Sequence, residues 1–136
     1  METAFEATTN DMTVRVRVEY LHQRSIPAAG RFVWAYHITI INHGAEPVQL
    51  LERSWEITDA EGYTQRVRGE GVVGKQPLLP EGGQFSYSSG VPLGTPSGYM
   101  VGKYHMSGLR TGRMFDIAVP AFSLESPLQD PRRHHI

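Results

Sequence analysis

Hydrophobic and polar residues alternate along much of the chain. In TVRVRVEY, residues 13–20, every second residue is apolar or aromatic and the residues between are charged. A period of two predicts a half-buried β-strand. The segment FVWAYHITIIN, residues 32–42, has the strongest pattern, and its predicted core face consists of Phe32, Trp34, Tyr36, Ile38 and Ile40.

Further strands follow at short intervals. SWEITDAEGYTQRV, residues 54–67, predicts a hairpin whose connection is bounded by Asp59 and Gly62. A Pro/Gly turn precedes a strand that carries Phe85 and Tyr87, and two more strands are predicted over 99–106 and 114–122. Pro120 is expected to end the last strand because it cannot donate a ladder hydrogen bond.

These patterns predict the fold class and the domain organisation. About seven short strands with frequent turns and no convincing helix indicate an all-β, antiparallel sandwich, with a closed barrel as the alternative. The 136 residues are expected to form one domain over residues 1–126. Residues 127–136 contain two prolines and clustered charge, and we expect a flexible tail.

Composition narrows the classes of partner. Thirteen basic residues against fourteen acidic ones give a net charge of −1, which provides no broad attraction to nucleic acid or to anionic membrane. No cysteine is present, and no apolar run approaches the roughly 18 residues of a membrane helix. The start of the chain lacks a signal-peptide pattern, so we expect a cytoplasmic protein.

The stretch RGEGVVGKQP, residues 68–77, has glycines at the spacing of a phosphate-binding loop: Gly69, Gly71 and Gly74. Such loops work by opening a helix whose first amides face phosphate. Pro80 and a following glycine pair would stop a helix here, so we favour a structural bend. The alternative is an anion nest of loop amides, flanked by Arg68 and Lys75.

Signatures of catalysis and of metal binding are missing from the sequence. None of the six histidines has ligand spacing, and the pair His134–His135 is expected to bind metal only adventitiously. No nucleophile elbow or zincin motif is present. We therefore predict no enzyme activity, no catalytic residue, no metal site and no cofactor.

The segment ERSW allows two interpretations. Trp55 beside Arg53 could form an exposed interaction surface of an aromatic ring and a guanidinium. Burial of Trp55 in the core is favoured, because tryptophan is highly buried on average.

Longer motifs resemble the ApaG family. VQLLERSWEITDAEG, then RGEGVVGKQPLLPEGGQFSYSSG, then TPSGYMVGKYHM and FDIAVPAFSL follow the family's order and spacing, and the likeness extends from about Thr13 to Leu124. The resemblance implies an immunoglobulin or fibronectin type III-like sandwich without an established catalytic set. It also implies a link with cobalt and magnesium tolerance and with diadenosine tetraphosphate metabolism.

The chain also departs from the family pattern. Lys75 occupies a position that is acidic in many members, Ser54 a position where histidine is common, and SGLRTGR replaces a usually acidic turn. Lys75 favours anion binding at the glycine loop. The altered turn SGLRTGR weakens the expectation that a metal binds at that turn.

We therefore expect a non-catalytic module that binds a partner protein through a sheet face or a strand edge, with self-pairing into a homodimer as an alternative. Related eukaryotic domains appended to interaction proteins support this expectation. The alternative function is a module that binds pyrophosphate or a nucleotide at residues 68–75.

Overall fold

The computed structural model describes residues 2–128, in which nine strands account for most of the chain. Two single 3-10 turns, His22–Arg24 and Pro27–Ala29, join the second and third strands. The strands are β1 Glu2–Thr9, β2 Met12–Tyr20, β3 Phe32–Asn42, β4 Val48–Asp59, β5 Thr64–Glu70, β6 Leu78–Leu79, β7 Gln84–Leu93, β8 Ser97–Gly108 and β9 Met114–Glu125.

The strands form two antiparallel sheets that pack face to face. The first sheet has the order β1-β2-β3-β7, and the second has the order β5-β4-β8-β9 with β6 paired to one end of β4. The predicted sandwich is confirmed. The immunoglobulin or fibronectin type III-like likeness stays a prediction.

The core lies between the inner faces of the two sheets. Trp34 is completely buried and Tyr36 nearly so, as the alternation in β3 predicted. Trp34 donates its indole N–H to the carbonyl of Glu125 at 2.8 Å, which joins the first sheet to the end of the second. Burial of large side chains with satisfied polar atoms is the main source of stability in such a sandwich.

The predicted number of strands, about seven, is too low. β1 was missed because its sequence, ETAFEATT, contrasts weakly in hydrophobicity and supplies only Phe5 to the margin of the core. β6 is two residues long, which is below the length at which alternation can be recognised. Residues 129–136, most of the predicted tail, lie outside the described residues.

The expectation that Pro120 ends the last strand is wrong, because β9 continues to Glu125. Met100 pairs with Phe122 while Gly102 pairs with Val119, so two residues of β9 lie opposite one residue of β8. Pro120 is one of the two. Proline is tolerated at such a bulge on an edge strand because no partner requires its missing N–H.

The two lateral sides of the sandwich are bounded by different pairs of edge strands. On one side β1 and β9 approach each other: the amide of Ala118 donates to Thr9 Oγ1 at 3.3 Å, and Asn10 Nδ2 donates to the carbonyl of Asp116 at 2.8 Å. The opposite side is bounded by β7 of the first sheet and β5 of the second.

A buried pair of phenols joins the sheets and gives a test of the packing. The hydroxyls of Tyr87 and Tyr104 lie 2.6 Å apart, and burial raises the pKa of both. Tyr104→Phe should destabilise the fold by about 1–3 kcal/mol, because it leaves a buried hydroxyl without its partner. The double variant, with Tyr87→Phe added, should recover part of that loss in chemical denaturation. Equal or greater loss in the double variant would contradict this account.

Candidate functional site

The glycine loop is a tight bend and does not open a helix. Gly71 and Gly74 have φ values of +64° and +79°, and Val73 between them is also left-handed at +43°. The next element is the short strand β6. No helix follows the last glycine, so neither a dinucleotide fingerprint nor a P-loop is present here.

Backbone groups of the protein already use the amides of this loop. The N–H of Gly71 donates to the carbonyl of Leu51 at 2.8 Å. Val72 and Lys75 donate to each other's carbonyls at 2.8 and 2.9 Å, which closes the bend. An anion nest needs free convergent amides. These three amides are not free.

The guanidinium of Arg53 holds the loop against the second sheet. Its Nη1 donates to the carbonyls of Glu70 at 3.1 Å and Gly71 at 2.9 Å. A Cβ at Gly69 would lie 2.9 Å from that nitrogen. The first glycine of the motif therefore makes room for an arginine of the protein itself.

The residues predicted for the anion site lie on β5, in the case of Arg68 and Gly69, and in the bend after it, in the case of Gly71, Gly74 and Lys75. Arg68 lies on the outer face of the second sheet, paired with Glu52 at 2.9 Å, and this hydrogen bond lowers the pKa of the Glu52 carboxyl. Lys75 is exposed in the bend. Gly69 makes room for the guanidinium of Arg53, and Gly71 and Gly74 adopt the left-handed backbone that the bend requires.

Trp55 belongs to the core, with 4% of its surface exposed. Its ring contacts Tyr36, Tyr104 and Phe122, with centroids 5.7, 6.3 and 6.0 Å away. The favoured interpretation, core burial, is confirmed. An exposed Arg53–Trp55 anchor is not present, because β4 turns both side chains toward the inside.

The outer face of β5, β4 and β8 forms a shallow groove of about 580 Å³. Val101 contributes an apolar surface that is 40% exposed, and Tyr99, two residues earlier on the same face of β8, is 48% exposed. The cations of this face are each paired with a carboxylate: Arg66 with Glu56 at 3.2 Å, Arg68 with Glu52 at 2.9 Å, and Lys103 with Asp116 at 3.7 Å.

A serine, a histidine and an aspartate are connected across the same face. Ser54 Oγ lies 2.7 Å from His105 Nε2, and His105 Nδ1 lies 2.7 Å from Asp116 Oδ1. Because a carboxylate only accepts, Nδ1 carries a proton, and in the neutral ring Nε2 accepts from the serine. The histidine's hydrogen bond lowers the pKa of the Asp116 carboxyl. This is the hydrogen-bond order of a nucleophile, a base and an orienting acid.

A second relay of the same kind lies on the outer face of the first sheet. His37 Nδ1 lies 2.6 Å from Ser88 Oγ, and its Nε2 lies 2.9 Å from Glu19 Oε1.

The backbone around Ser54 is already paired on both sides, because Ser54 lies on β4, which pairs with β5 on one side and β8 on the other. Amides in such ladders cannot bind an oxyanion. Both relays are best explained as polar ladders between neighbouring strands.

Sequence spacing gives no sign of the roles of His37 and His105, because neither has a partner close by in the chain. Their partners are distant in sequence, and strand register alone brings them together. Ser54 and Lys103 form one cross-strand pair, and His105 and Asp116 form another. The signal for the relay was therefore absent until the pairing of β4, β8 and β9 was known.

Within residues 2–128, no group of three or more histidine or acidic residues could hold a metal ion. Residues 2–128 also contain no helix with the length and apolarity needed to cross a membrane. His134 and His135, the expected adventitious pair, lie outside the described residues.

Similar proteins identify the family. The profile of the ApaG domain matches residues 22–108. The chain belongs to the ApaG domain family. It is 54% identical over 123 residues to Protein ApaG of Rhodospirillum centenum, covering 90% of this chain and 94% of that one. It is 52% identical over 128 residues to Protein ApaG of Paramagnetospirillum magneticum, covering 94% and 98% of the two chains.

Solved structures agree with the architecture. A crystal structure of the ApaA protein from Bordetella pertussis superposes on this ApaG domain with a TM-score of 0.83 at 44% identity, covering 88% of this chain and 96% of that one. The C-terminal domain of wzt gives a TM-score of 0.55 at 9% identity, covering 91% of this chain and 77% of that one. The second likeness shows the fold alone.

Two glycines of the loop should differ in their tolerance of a methyl group. A Cβ at Gly71 would lie 2.2 Å from the backbone oxygen of Lys75, whereas no atom lies within 4 Å of a Cβ at Gly74. Gly71→Ala should cost about 3 kcal/mol of stability from strain and overlap. Gly74→Ala should cost about 1–2 kcal/mol for the left-handed backbone alone. Similar losses in chemical denaturation would contradict this reading.

The relay of Asp116 predicts a dependence of stability on pH. A lowered pKa in the folded state means that the carboxylate stabilises the fold above its ordinary pKa, and this contribution is lost as the pH falls through the lowered value. Asp116→Asn should therefore reduce the free energy of unfolding near neutrality by less than about 1 kcal/mol, because the carboxylate is half exposed.

The loss from Asp116→Asn should disappear in acid. Denaturation curves from neutral to strongly acidic pH measure it, and Glu61→Gln in the exposed hairpin turn is the control. A loss that is the same at every pH would show that the substitution acts through packing and not through the ionised carboxylate.

Proposed function

We propose that this ApaG domain is a non-catalytic module that binds a partner protein on the outer face of β5, β4 and β8. The observation that carries the proposal is the groove lined by Val101, whose exposed apolar surface lies next to charges that are already paired, with exposed Tyr99 two residues away on the same face of β8. Tyrosine and apolar side chains at the centre of a polar rim are typical of protein interfaces.

The balance of charge favours a protein over a small anion. A phosphate that enters the groove would compete with Glu56 for Arg66 and with Glu52 for Arg68. A protein surface can contact Tyr99 and Val101 and leave these ion pairs in place at the rim. Paired charges of this kind contribute specificity more than affinity.

A binding role is also more consistent with the relay at Ser54 than hydrolysis is. Catalysis of acyl transfer draws most on donors that are directed at the developing oxyanion. The ladders of β4 use the neighbouring amides, and the relay of His37 and Ser88 shows that the outer face of the other sheet also produces such hydrogen bonds. The family's link with cobalt and magnesium tolerance would then be indirect.

Removal of the two exposed side chains tests the proposal. A partner is first captured from lysate of the source organism and purified, and its affinity is then measured by calorimetry. Tyr99→Ser combined with Val101→Ser should weaken binding by about tenfold or more, because these residues would be the interface centre. Ile26→Ser, which removes a 55% exposed side chain from the β2–β3 connection, is the matched control. Equal affinity for all three proteins would contradict the proposal.

The second candidate function is binding of pyrophosphate or a nucleotide near residues 68–75. The exposed position of Lys75 in the bend supports it, and Arg53 holds that bend in place by donating to the carbonyls of Glu70 and Gly71. Titration with pyrophosphate, ATP and diadenosine tetraphosphate should then shift amide resonances of residues 68–75, and Lys75→Ala should abolish the shifts. Unchanged spectra at millimolar ligand would end this proposal without touching the first.

A further inference from the structure

The four edge strands of the sandwich differ in how their free edges are protected. Natural proteins protect sheet edges with charged side chains, prolines, bulges or a covering segment. β9 contains Pro120 and a bulge, and it lies against β1. β5 carries Arg66, Arg68 and Glu70 within seven residues.

β7 has none of these protections over most of its length. Its sequence, QFSYSSGVPL, contains no charged residue in ten positions, and its only proline is Pro92 near the end. Its pairing with β3 is continuous from Leu93 to Gln84 without a bulge. Within residues 2–128, no strand pairs with the other side of β7. The unpaired backbone groups of this edge can accept another strand.

We propose that β7 pairs antiparallel with β7 of a second copy of this chain, joining the two four-stranded sheets into one sheet across a two-fold axis. This inference rests on the edges of the first sheet and does not depend on the groove of the second. Two-fold dimers are the commonest closed homo-oligomers, and antiparallel pairing of two identical edges produces such an axis.

Self-pairing fits the side chains of β7 better than those of β5. If two copies of β7 pair about Ser88, that serine meets its own copy, Ser86 faces Gly90 and Gln84 faces Pro92, so the outer face brings no charged groups together. If two copies of β5 pair about their middle residue, Arg66 lies opposite Arg68 of the second copy. Like charges directly opposite each other destabilise a strand pair.

The overall charge of the protein does not oppose association. The formal net charge is −1, so two copies experience little mutual repulsion as they approach. A partner of strongly basic or acidic character would have nothing on β7 to recognise, whereas a second copy meets a surface of the same chemistry. The occupant that the edge fits is therefore this chain itself.

The experiment measures the oligomeric state of the full chain and of two charge variants. Sedimentation velocity over about a hundredfold range of concentration should show wild type passing from monomer to dimer. Ser88→Lys and Ser88→Glu should each raise the dimer dissociation constant by about tenfold or more, because two like charges meet at the axis. An equimolar mixture of the two variants should recover a dimer, since opposite charges then meet.

A matched pair of variants and a second readout keep the test specific. Ala4→Lys and Ala4→Glu place the same charges on an exposed position of β1, the other edge of the same sheet, and should dimerise as wild type does. Amide hydrogen exchange in β7 should slow as the protein concentration rises. Recovery in the mixture excludes misfolding as the cause of any loss.

Three outcomes would overturn the proposal. Wild type that remains monomeric at every concentration would do so. A dimer that both Ser88 variants leave intact would place the interface elsewhere. Variants that fail to re-associate when mixed, although each is folded by circular dichroism, would show that charge at the axis is not the cause of the loss.

Discussion

The packing of Trp55 over Gly102 determines the arrangement around the candidate site. A Cβ at Gly102 would lie 2.4 Å from the indole ring, so only glycine allows β4 and β8 to pair with this ring between the sheets. The ring also contacts Tyr36 of the first sheet. With Trp55 fixed inward, the alternation of β4 turns Arg53 inward to the glycine loop and Ser54 outward to the relay.

The same alternation separates two kinds of polar chemistry. On the inner side, the guanidinium of Arg53 is held by carbonyls of the loop, so its charge is directed by backbone geometry. On the outer side, cations are balanced by carboxylates of neighbouring strands, as in the pair of Arg68 and Glu52. The outer face is therefore close to neutral over its area, although it is rich in charged residues. Such a surface discriminates partners by shape and by the positions of its charges more than by long-range attraction.

Sequence patterns predicted most of the fold and little of the site. Alternation predicted both ends of β3 correctly, because the core face of this strand is strongly hydrophobic. β1 was not predicted, because an edge strand needs only a weakly apolar face. The course of β9 through Pro120 could not be predicted, since it depends on a bulge relative to β8. The relay of Ser54, His105 and Asp116 likewise depends on register. Register follows from turn geometry and from the face that each strand buries against its neighbours, so the sequence of one strand alone does not give it.

The unequal protection of the edges also bears on the size that an assembly can reach. A protein with two open edges on the same sheet can add copies without limit, and the result is a filament. Here β1 lies against β9, so the first sheet can add a strand only at β7. Pairing with one second copy would occupy that edge. The bent edge at Pro120 blocks the corresponding route through the second sheet. The fold thus leaves one uncovered edge on the first sheet, so strand pairing through β7 would end at two copies and would not build a filament.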